Sequence, residues 1–241
     1  MATIANNYQQ ILERIEKVAA QAGRSSDEIT LVAVTKTWPS EVLAEAYAAG
    51  MRHFGENRTH ELEEKRPSLD SDHDGIVWHF IGHLQSRQSQ TVADFADVFH
   101  AADRMKIINR LGRQLGENGR TLKTFLEVNV SGEGSKSGFG CDNWEQDGGQ
   151  REQIQQAAVT MADLEGLQLC GLMTMAPWGA PEAEIREVFR RTRELRDWLE
   201  AAVPTLTLPE LSMGMTDDFE LAIVEGATQV RVGRALFGER H

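Results

Sequence analysis

The amino-acid sequence predicts an α/β fold, a single (β/α)8 TIM barrel with an extra N-terminal helix. Short β-branched runs alternate with longer segments of helical periodicity, which is typical of parallel strands joined by crossover helices. Eight such strands can be counted along the 241 residues, the number that closes a barrel of this kind. The glycine fingerprint of a dinucleotide-binding open sheet is missing after the first strand, although sequence order alone does not prove closure.

The composition indicates one ordinary globular domain spanning residues 1–241. The chain is 41% hydrophobic and 26% charged, which is enough apolar surface for a large core. Its net charge of −12 disfavours broad contact with nucleic acid or anionic membrane. Two cysteines are too few for a disulfide framework, and no apolar stretch is long enough to span a membrane. We therefore expect a cytoplasmic protein.

The elements are predicted in chain order from their periodicity. An amphipathic helix from Tyr8 to Ala19 ends at Gly23, ahead of every strand. The predicted strands are Thr30–Thr35, Arg52–Gly55, Val77–Gly82, Val98–Ala101, Thr124–Val130, Leu167–Met173, Glu210–Leu211 and Gln229–Val232. The helices between them include Ser40–Ala49, Met105–Glu117 and Glu182–Ala201.

One segment breaks this alternation. Residues Gly138–Gly149 are rich in glycine and acidic residues and have no periodicity, which predicts a long surface loop after the fifth strand. Because the loop leaves the C-terminal end of a barrel strand, it is either a spacer or a lid over a site at that end.

Lys36 is the first candidate functional residue. It ends the buried run LVAVTK, and a lysine at the C-terminal end of a barrel strand faces the end where barrel ligands bind. Partial desolvation disfavours the charged amine and frees it to attack a carbonyl, as in Schiff-base formation. Of the six lysines, only Lys36 and Lys136 are expected at this end. An ion-paired structural role for Lys36 is the alternative.

A candidate anion site follows the seventh and eighth strands. Ser212 and Thr216 bring hydroxyl donors, and Gly214 and Gly233 allow close approach of the backbone to an anion. The helix after each loop points its positive end to the same place, where barrels often bind phosphate. The alternative is that these residues only make turns. Arg231, inside the last strand, needs an acceptor.

The lysine and the anion site together fit pyridoxal 5′-phosphate (PLP), which carries an aldehyde and a phosphate. Several segments also resemble the PLP homeostasis protein family, and they occur in the family's order from about residue 5 to residue 239. These segments are LVAVTK, FGEN with Glu61, WHFIGHLQ, SKSGF, GLMTMAP, LSMGMTDD and VRVGRALFG.

The resemblance implies a fold-type III PLP barrel, like the N-terminal domain of alanine racemase, without a second β domain. It implies an internal aldimine on Lys36 and an arginine, Arg231, at the pyridine nitrogen. It also implies phosphate contacts from Ser212, Thr216 and the amides near Gly233 and Arg234. Asn57 would lie near the cofactor ring and Lys136 near the barrel mouth.

The resemblance and the residues together favour a PLP carrier over an enzyme. Arg231 would keep the ring nitrogen unprotonated, and Tyr8 and Tyr47, the two tyrosines, lie on predicted helices away from a catalytic position. We expect a monomeric protein that stores, buffers or delivers PLP, affects amino-acid and keto-acid balance, and has PLP-dependent apo-enzymes as recipients. A weak racemase or lyase, and a barrel for another phosphorylated metabolite, are the alternatives. His79 and His83 lie on a strand and its exit, so we expect no metal site.

Overall fold

The computed structural model describes residues 3–239, which form a closed parallel β-barrel surrounded by helices. Consecutive barrel strands pair in parallel, and pairing of the first strand with the last and of the fourth with the fifth completes the ring. The barrel strands are β1 (Thr30–Val34), β2 (His53–Glu56), β3 (Val77–Phe80), β4 (Val98–Ala102), β5 (Leu122–Asn129), β7 (Leu167–Met173), β8 (Glu210–Met215) and β9 (Gln229–Val232). The predicted TIM barrel is therefore confirmed.

The helices connect the strands on the outside of the barrel. They are α1 (Ile4–Gln21), α2 (Ser40–Ala48), α3 (Thr59–Asp70), α4 (Ser89–Phe95), α5 (Met105–Glu117), α6 (Gly148–Ala162), α7 (Glu182–Ala202), α8 (Phe219–Val224) and α9 (Arg234–Phe237). Within residues 3–239, none of them is both long and apolar enough to cross a membrane.

Every barrel strand lies within two residues of its predicted bounds except β8, and one further strand is not predicted by the sequence. β8 was predicted to be very short, but it continues through the polar, glycine-containing run to Met215 because its backbone pairs with β9. A further two-residue strand, β6 (Phe139–Gly140), pairs with the end of β5. Backbone pairing with a neighbouring strand, rather than side-chain propensity, decides both cases.

The N-terminal helix α1 closes one side of the barrel. Thr3 caps its start by accepting a hydrogen bond from the amide of Asn6 at 3.2 Å. Gly23, with φ +69°, provides the left-handed residue that ends the helix. Arg14 pairs with Glu220 of α8 at 3.0 Å, so the apolar face of α1 packs over the last units of the barrel.

The acidic segment Gly138–Gly149 packs against α7 instead of lying free on the surface. Trp144 is 6% exposed, and its ring centroid lies 6.0 Å from that of Trp198. Arg191 donates to both carboxylate oxygens of Glu145 at 2.6 and 2.7 Å, and to the carbonyl of Val130 at 3.0 Å. The part of this segment up to Glu145 is thus attached to the barrel wall.

Candidate functional site at the C-terminal mouth of the barrel

The register of the sheet places Lys36 beside the last strand. β1 pairs with β9, with Ala33 opposite Val232. Lys36 therefore leaves β1 next to the segment Gly233–Arg234, which follows β9. Lys36 itself is half-buried at the C-terminal end of its strand.

The same register adds the loop after β8. Met215 lies opposite Arg231 in the β8–β9 pair, so Gly214 and Thr216 lie at the same end of the barrel as Lys36. The predicted lysine and the predicted anion-binding residues are thus on three adjacent strand ends, β8, β9 and β1.

A buried charged cluster supports the residues on either side of Lys36. Lys65 of α3 donates to Glu56 at 2.8 Å, to Glu61 at 2.7 Å and to the carbonyl of Thr35 at 3.0 Å. Glu61 accepts the amide of Thr37 at 2.6 Å, and Thr37 has φ +70°, a rare conformation for a β-branched residue. The cluster therefore holds the backbone before and after Lys36 in one conformation.

The electrostatics of this cluster follow from burial. Burial raises the pKa of Glu56 to about 7, against the opposing effect of Lys65 and the Thr35 hydroxyl. Burial by itself would raise the pKa of Glu61. Hydrogen bonds from Lys65 and the Thr37 amide outweigh this effect, so the pKa of Glu61 is lowered overall. The sequence reasoning missed this cluster, although the four-residue spacing of Glu61 and Lys65 on a helix was an available signal.

Arg231 is a second buried cation at the site. It is 5% exposed and donates to Ser212 Oγ at 2.5 Å and to the carbonyl of Thr174 at 3.0 Å. Burial lowers its pKa to about 10, while Asp218 and Glu127 act in the opposite direction. These two bonds leave part of the five N–H groups of the guanidinium for an acceptor on a ligand.

Ser212 lies deeper in the barrel than a phosphate contact at the mouth would require. It is fully buried, and its hydroxyl contacts both Arg231 and His100 Nδ1, the latter at 2.7 Å. Its predicted contact with phosphate stays a prediction, and the described contacts make it a support for Arg231.

The C-terminal end of β8 and the residues that follow it fold back tightly before α8. Gly214 has φ +92°, and a Cβ there would lie 2.7 Å from the Cβ of Ala222, so only glycine fits. Thr216 is half-buried, while Arg234 is exposed and forms an ion pair with Asp217. Gly214 thus has a packing reason of its own, besides any approach to an anion.

Asn57 and Lys136 complete the set of predicted residues. Thr35 donates its amide to the carbonyl of Gly55, which places Asn57 across from Lys36. Asn57 Oδ1 is a buried oxygen that has no hydrogen-bond partner within residues 3–239. Lys136 is held by the Ser131 hydroxyl at 3.1 Å and by the carbonyl of Met175 at 3.0 Å.

The arrangement fits PLP by the chemistry of its donors. Lys36 can bond an aldehyde, the N–H groups of Arg231 can meet a ring nitrogen, and Thr216 with the first amides of α9 can meet phosphate oxygens. Within residues 3–239, the buried guanidinium has no carboxylate in hydrogen-bond contact, so it is the group of the site that most needs such an acceptor.

Other chemistry at the histidines can be separated from this site. Across residues 3–239, no group of three His, Cys, Asp or Glu side chains could hold a metal ion. His79 contacts His53 and His100 inside the barrel, whereas His83 pairs with Asp103 at 2.9 Å near the C-terminal ends of β3 and β4. A cavity of about 690 Å³ lies at the opposite mouth, around the starts of the strands.

Comparison with known proteins identifies the family. The model of the alanine racemase N-terminal domain matches residues 6–241. The pyridoxal phosphate homeostasis protein of Escherichia coli K12 is 39% identical over 244 residues, covering 100% of this chain and 98% of that protein. The structure of PipY from Synechococcus elongatus PCC7942 with PLP bound is 35% identical, with a TM-score of 0.79, and covers 93% of this chain and 100% of that one.

A more distant likeness concerns the fold alone. Alanine racemase from Streptomyces coelicolor A3(2) is 17% identical, with a TM-score of 0.67, and covers 95% of this chain and 58% of the enzyme. The chain therefore belongs to the pyridoxal phosphate homeostasis protein family, whose barrel is that of the alanine racemase N-terminal domain.

Proposed function

We propose that this protein binds PLP as a Schiff base on Lys36 and stores, buffers or delivers it, so that it takes part in PLP homeostasis. The observation that carries the proposal is the meeting of Lys36, Arg231 and the Gly214–Thr216 and Gly233–Arg234 segments on adjacent strand ends. The PLP bound in PipY and the names of the bacterial relatives support the choice of cofactor.

The test is the absorbance of the purified protein before and after borohydride reduction, followed by mass mapping of the modified peptide. We expect a visible Schiff-base band and a reduced adduct on Lys36. Lys36→Ala should lose both, and Lys136→Ala is the matched control, since Lys136 is held by Ser131 and Met175 near the same mouth. An unchanged covalent spectrum in Lys36→Ala would refute the assignment.

We infer that the protein is a carrier and not an efficient enzyme. Arg231 at the ring nitrogen would disfavour the protonated ring that serves as an electron sink. The phenol of Tyr47 donates to the carbonyl of Asp74, ahead of β3, and the ring of Tyr8 lies beside Gly50, ahead of β2. Both tyrosines therefore lie toward the starts of the strands. A base that acts on the bound cofactor would have to lie at the opposite mouth.

A weak racemase or lyase is the second candidate, favoured by the His83–Asp103 pair. The Asp103 side chain is 5% exposed and orients a half-exposed imidazole, an arrangement suited to moving protons. Turnover of D- or L-alanine, serine or threonine by the wild type, lost in His83→Gln, would support this candidate. No turnover in the PLP-loaded protein supports the carrier.

The carrier role also implies which proteins receive the PLP, where the protein is located and what its oligomeric state is. PLP-dependent apo-enzymes are the proposed recipients, the cytoplasm the proposed location, and a monomer the proposed state. Activation of a purified apo-enzyme by the PLP-loaded protein, compared with free PLP at the same concentration, measures delivery. Sedimentation velocity measures the oligomeric state.

A further inference from the structure

A chain of hydrogen bonds crosses the interior of the barrel behind Arg231. Arg231 donates to Ser212 Oγ at 2.5 Å, and Ser212 Oγ contacts His100 Nδ1 at 2.7 Å. His100 Nε2 contacts His79 Nδ1 at 2.9 Å, and His79 Nε2 contacts His53 Nδ1 at 3.0 Å. We call these four residues, Ser212, His100, His79 and His53, the relay.

The relay ends at the opposite mouth of the barrel. His53 starts β2 and, like His79, lines the cavity of about 690 Å³, together with Glu28, Asp97, Lys123, Glu210 and Gln229. His79 and His100 are buried, so the relay is closed to solvent along most of its length. It thus connects this cavity with the cation at the C-terminal mouth.

Arg231 sets the direction of every bond in the relay. A guanidinium only donates, so Ser212 Oγ accepts from it, and the serine hydroxyl then donates to His100 Nδ1. A neutral imidazole has one donor and one acceptor, so His100 Nε2–H donates to His79, and His79 Nε2–H donates to His53. In the reverse direction, the Ser212 hydroxyl hydrogen would lack an acceptor among the described contacts.

The burial of the relay and the direction of its bonds each have a physical effect. Burial keeps the pKa of His79 and of His100 well below its usual range, so both rings are neutral. Donors that all point one way polarise each other, which makes Ser212 Oγ a better acceptor for the guanidinium. The relay therefore stabilises a buried cation without placing a carboxylate against it.

We infer that His100, His79 and His53 are positioning residues for Arg231, forming a one-way relay through which the cavity at the N-terminal mouth influences cofactor binding at the other mouth. The inference rests on the proposed function, because it takes Arg231 as the residue beside the cofactor ring.

The first experiment compares two single variants of His100, each of which keeps one of the two hydrogen bonds of the imidazole. An asparagine amide lies where Nδ1 lies and retains the bond to Ser212, whereas a glutamine amide lies where Nε2 lies and retains the bond to His79. We expect His100→Gln to weaken PLP binding about tenfold, and His100→Asn to keep much more of the affinity. Equal losses in both variants would mean that His100 only fills space, and would overturn the inference.

The second experiment tests the distant end with variants that alter the N-terminal mouth. His53→Leu removes the last acceptor and should weaken PLP binding about threefold, a change expected from one weakened hydrogen bond. Gln168 lines the same cavity and has no hydrogen bond to the relay within residues 3–239, so Gln168→Ala should bind PLP as the wild type does. Wild-type affinity in His53→Leu would refute the long-range part of the inference.

The third experiment needs no cofactor. Nitrogen-15 NMR of the histidine rings should show the Nε2–H tautomer for His53, His79 and His100 at neutral pH. An Nδ1–H tautomer or a charged ring at His79 or His100 would contradict the direction of the relay.

If Arg231→Gln binds PLP as the wild type does, the proposed function of Arg231 fails. If Arg231→Gln weakens PLP binding and His100→Gln does not, the relay fails alone.

Discussion

The two flanks of the C-terminal mouth support a buried cation in different ways. On the Lys36 flank, Lys65 is enclosed by two carboxylates, Glu56 and Glu61, at 2.8 and 2.7 Å. On the other flank, Arg231 is held by a serine hydroxyl and a carbonyl, with neutral histidines behind the serine.

The difference shows what each cation is available for. The charge of Lys65 is already matched by carboxylates. This lysine therefore stabilises the backbone conformation around Lys36. Among the described residues, Arg231 has only neutral groups at hydrogen-bond distance, and burial lowers its pKa to about 10. An anionic or lone-pair acceptor on a ligand therefore gains most on the Arg231 flank.

The largest expected effect comes from removing the charge of Lys65. Lys65→Met leaves Glu56 and Glu61 buried without their cation, so the free energy of unfolding should fall by about 3 to 5 kcal/mol. Urea unfolding of the cofactor-free protein measures it. The double variant Lys65→Met/Glu56→Gln should recover part of the loss, and a single variant as stable as the wild type would contradict the role of the cluster.

Removing the charge of Arg231 should affect PLP affinity more than the free energy of unfolding. Arg231→Gln should weaken PLP binding by about 10- to 100-fold, since a hydrogen bond from a charged donor is lost. The unfolding free energy should change much less than in Lys65→Met, because a costly buried charge disappears with the bond. Titration of PLP into the cofactor-free protein measures the affinity. A large loss of stability with unchanged PLP affinity would show that Arg231 is a structural cation like Lys65 and does not bind the cofactor.

A smaller effect concerns pH and the two glutamates of the cluster. The pKa of Glu56 rises in the folded protein from 4.5 to about 7, so the folded state binds more protons in this range than the unfolded state. Its contribution to stability is therefore lost as the pH rises from 4.5 to 7. Glu56→Gln cannot ionise, and its stability relative to the wild type should increase by about 2 kcal/mol across this window.

Glu61→Gln is the matched control for this pH dependence. The pKa of Glu61 is lowered in the folded protein, so its ionised form contributes stability above its ordinary pKa, and that stability is lost as the pH falls. The stability of Glu61→Gln relative to the wild type should therefore decrease as the pH rises toward 4.5 and stay nearly level above it. Urea unfolding at pH 3.5, 4.5, 6 and 7.5 separates the two variants. A Glu56→Gln curve parallel to the wild type above pH 4.5 would show that the pKa of Glu56 is not raised, and a Glu61→Gln curve parallel to it below pH 4.5 would show that the pKa of Glu61 is not lowered.

Much of the fold and the candidate site could be predicted because the signals are local. The alternation of strands and helices depends on side-chain periods within each segment, and α5 has the predicted bounds, Met105–Glu117. The position of Lys36 at the end of a strand follows from the order of residues in one short run. The glycine and hydroxyl residues of the last two barrel strand ends are similarly recognisable from sequence alone, although Ser212 and Gly214 lie within β8 and not in a loop after it.

The sequence by itself determined the alternating pattern, the number of barrel strands and the residues that could bond a phosphorylated aldehyde. Only the tertiary structure decided that β1 pairs with β9, that Lys65 lies between two glutamates, and that His53, His79 and His100 meet inside the barrel. These contacts join residues on different strands and helices, and no local period predicts which side chains a closed barrel turns toward each other. Closure supplies that information because it fixes the register of every strand against its neighbours.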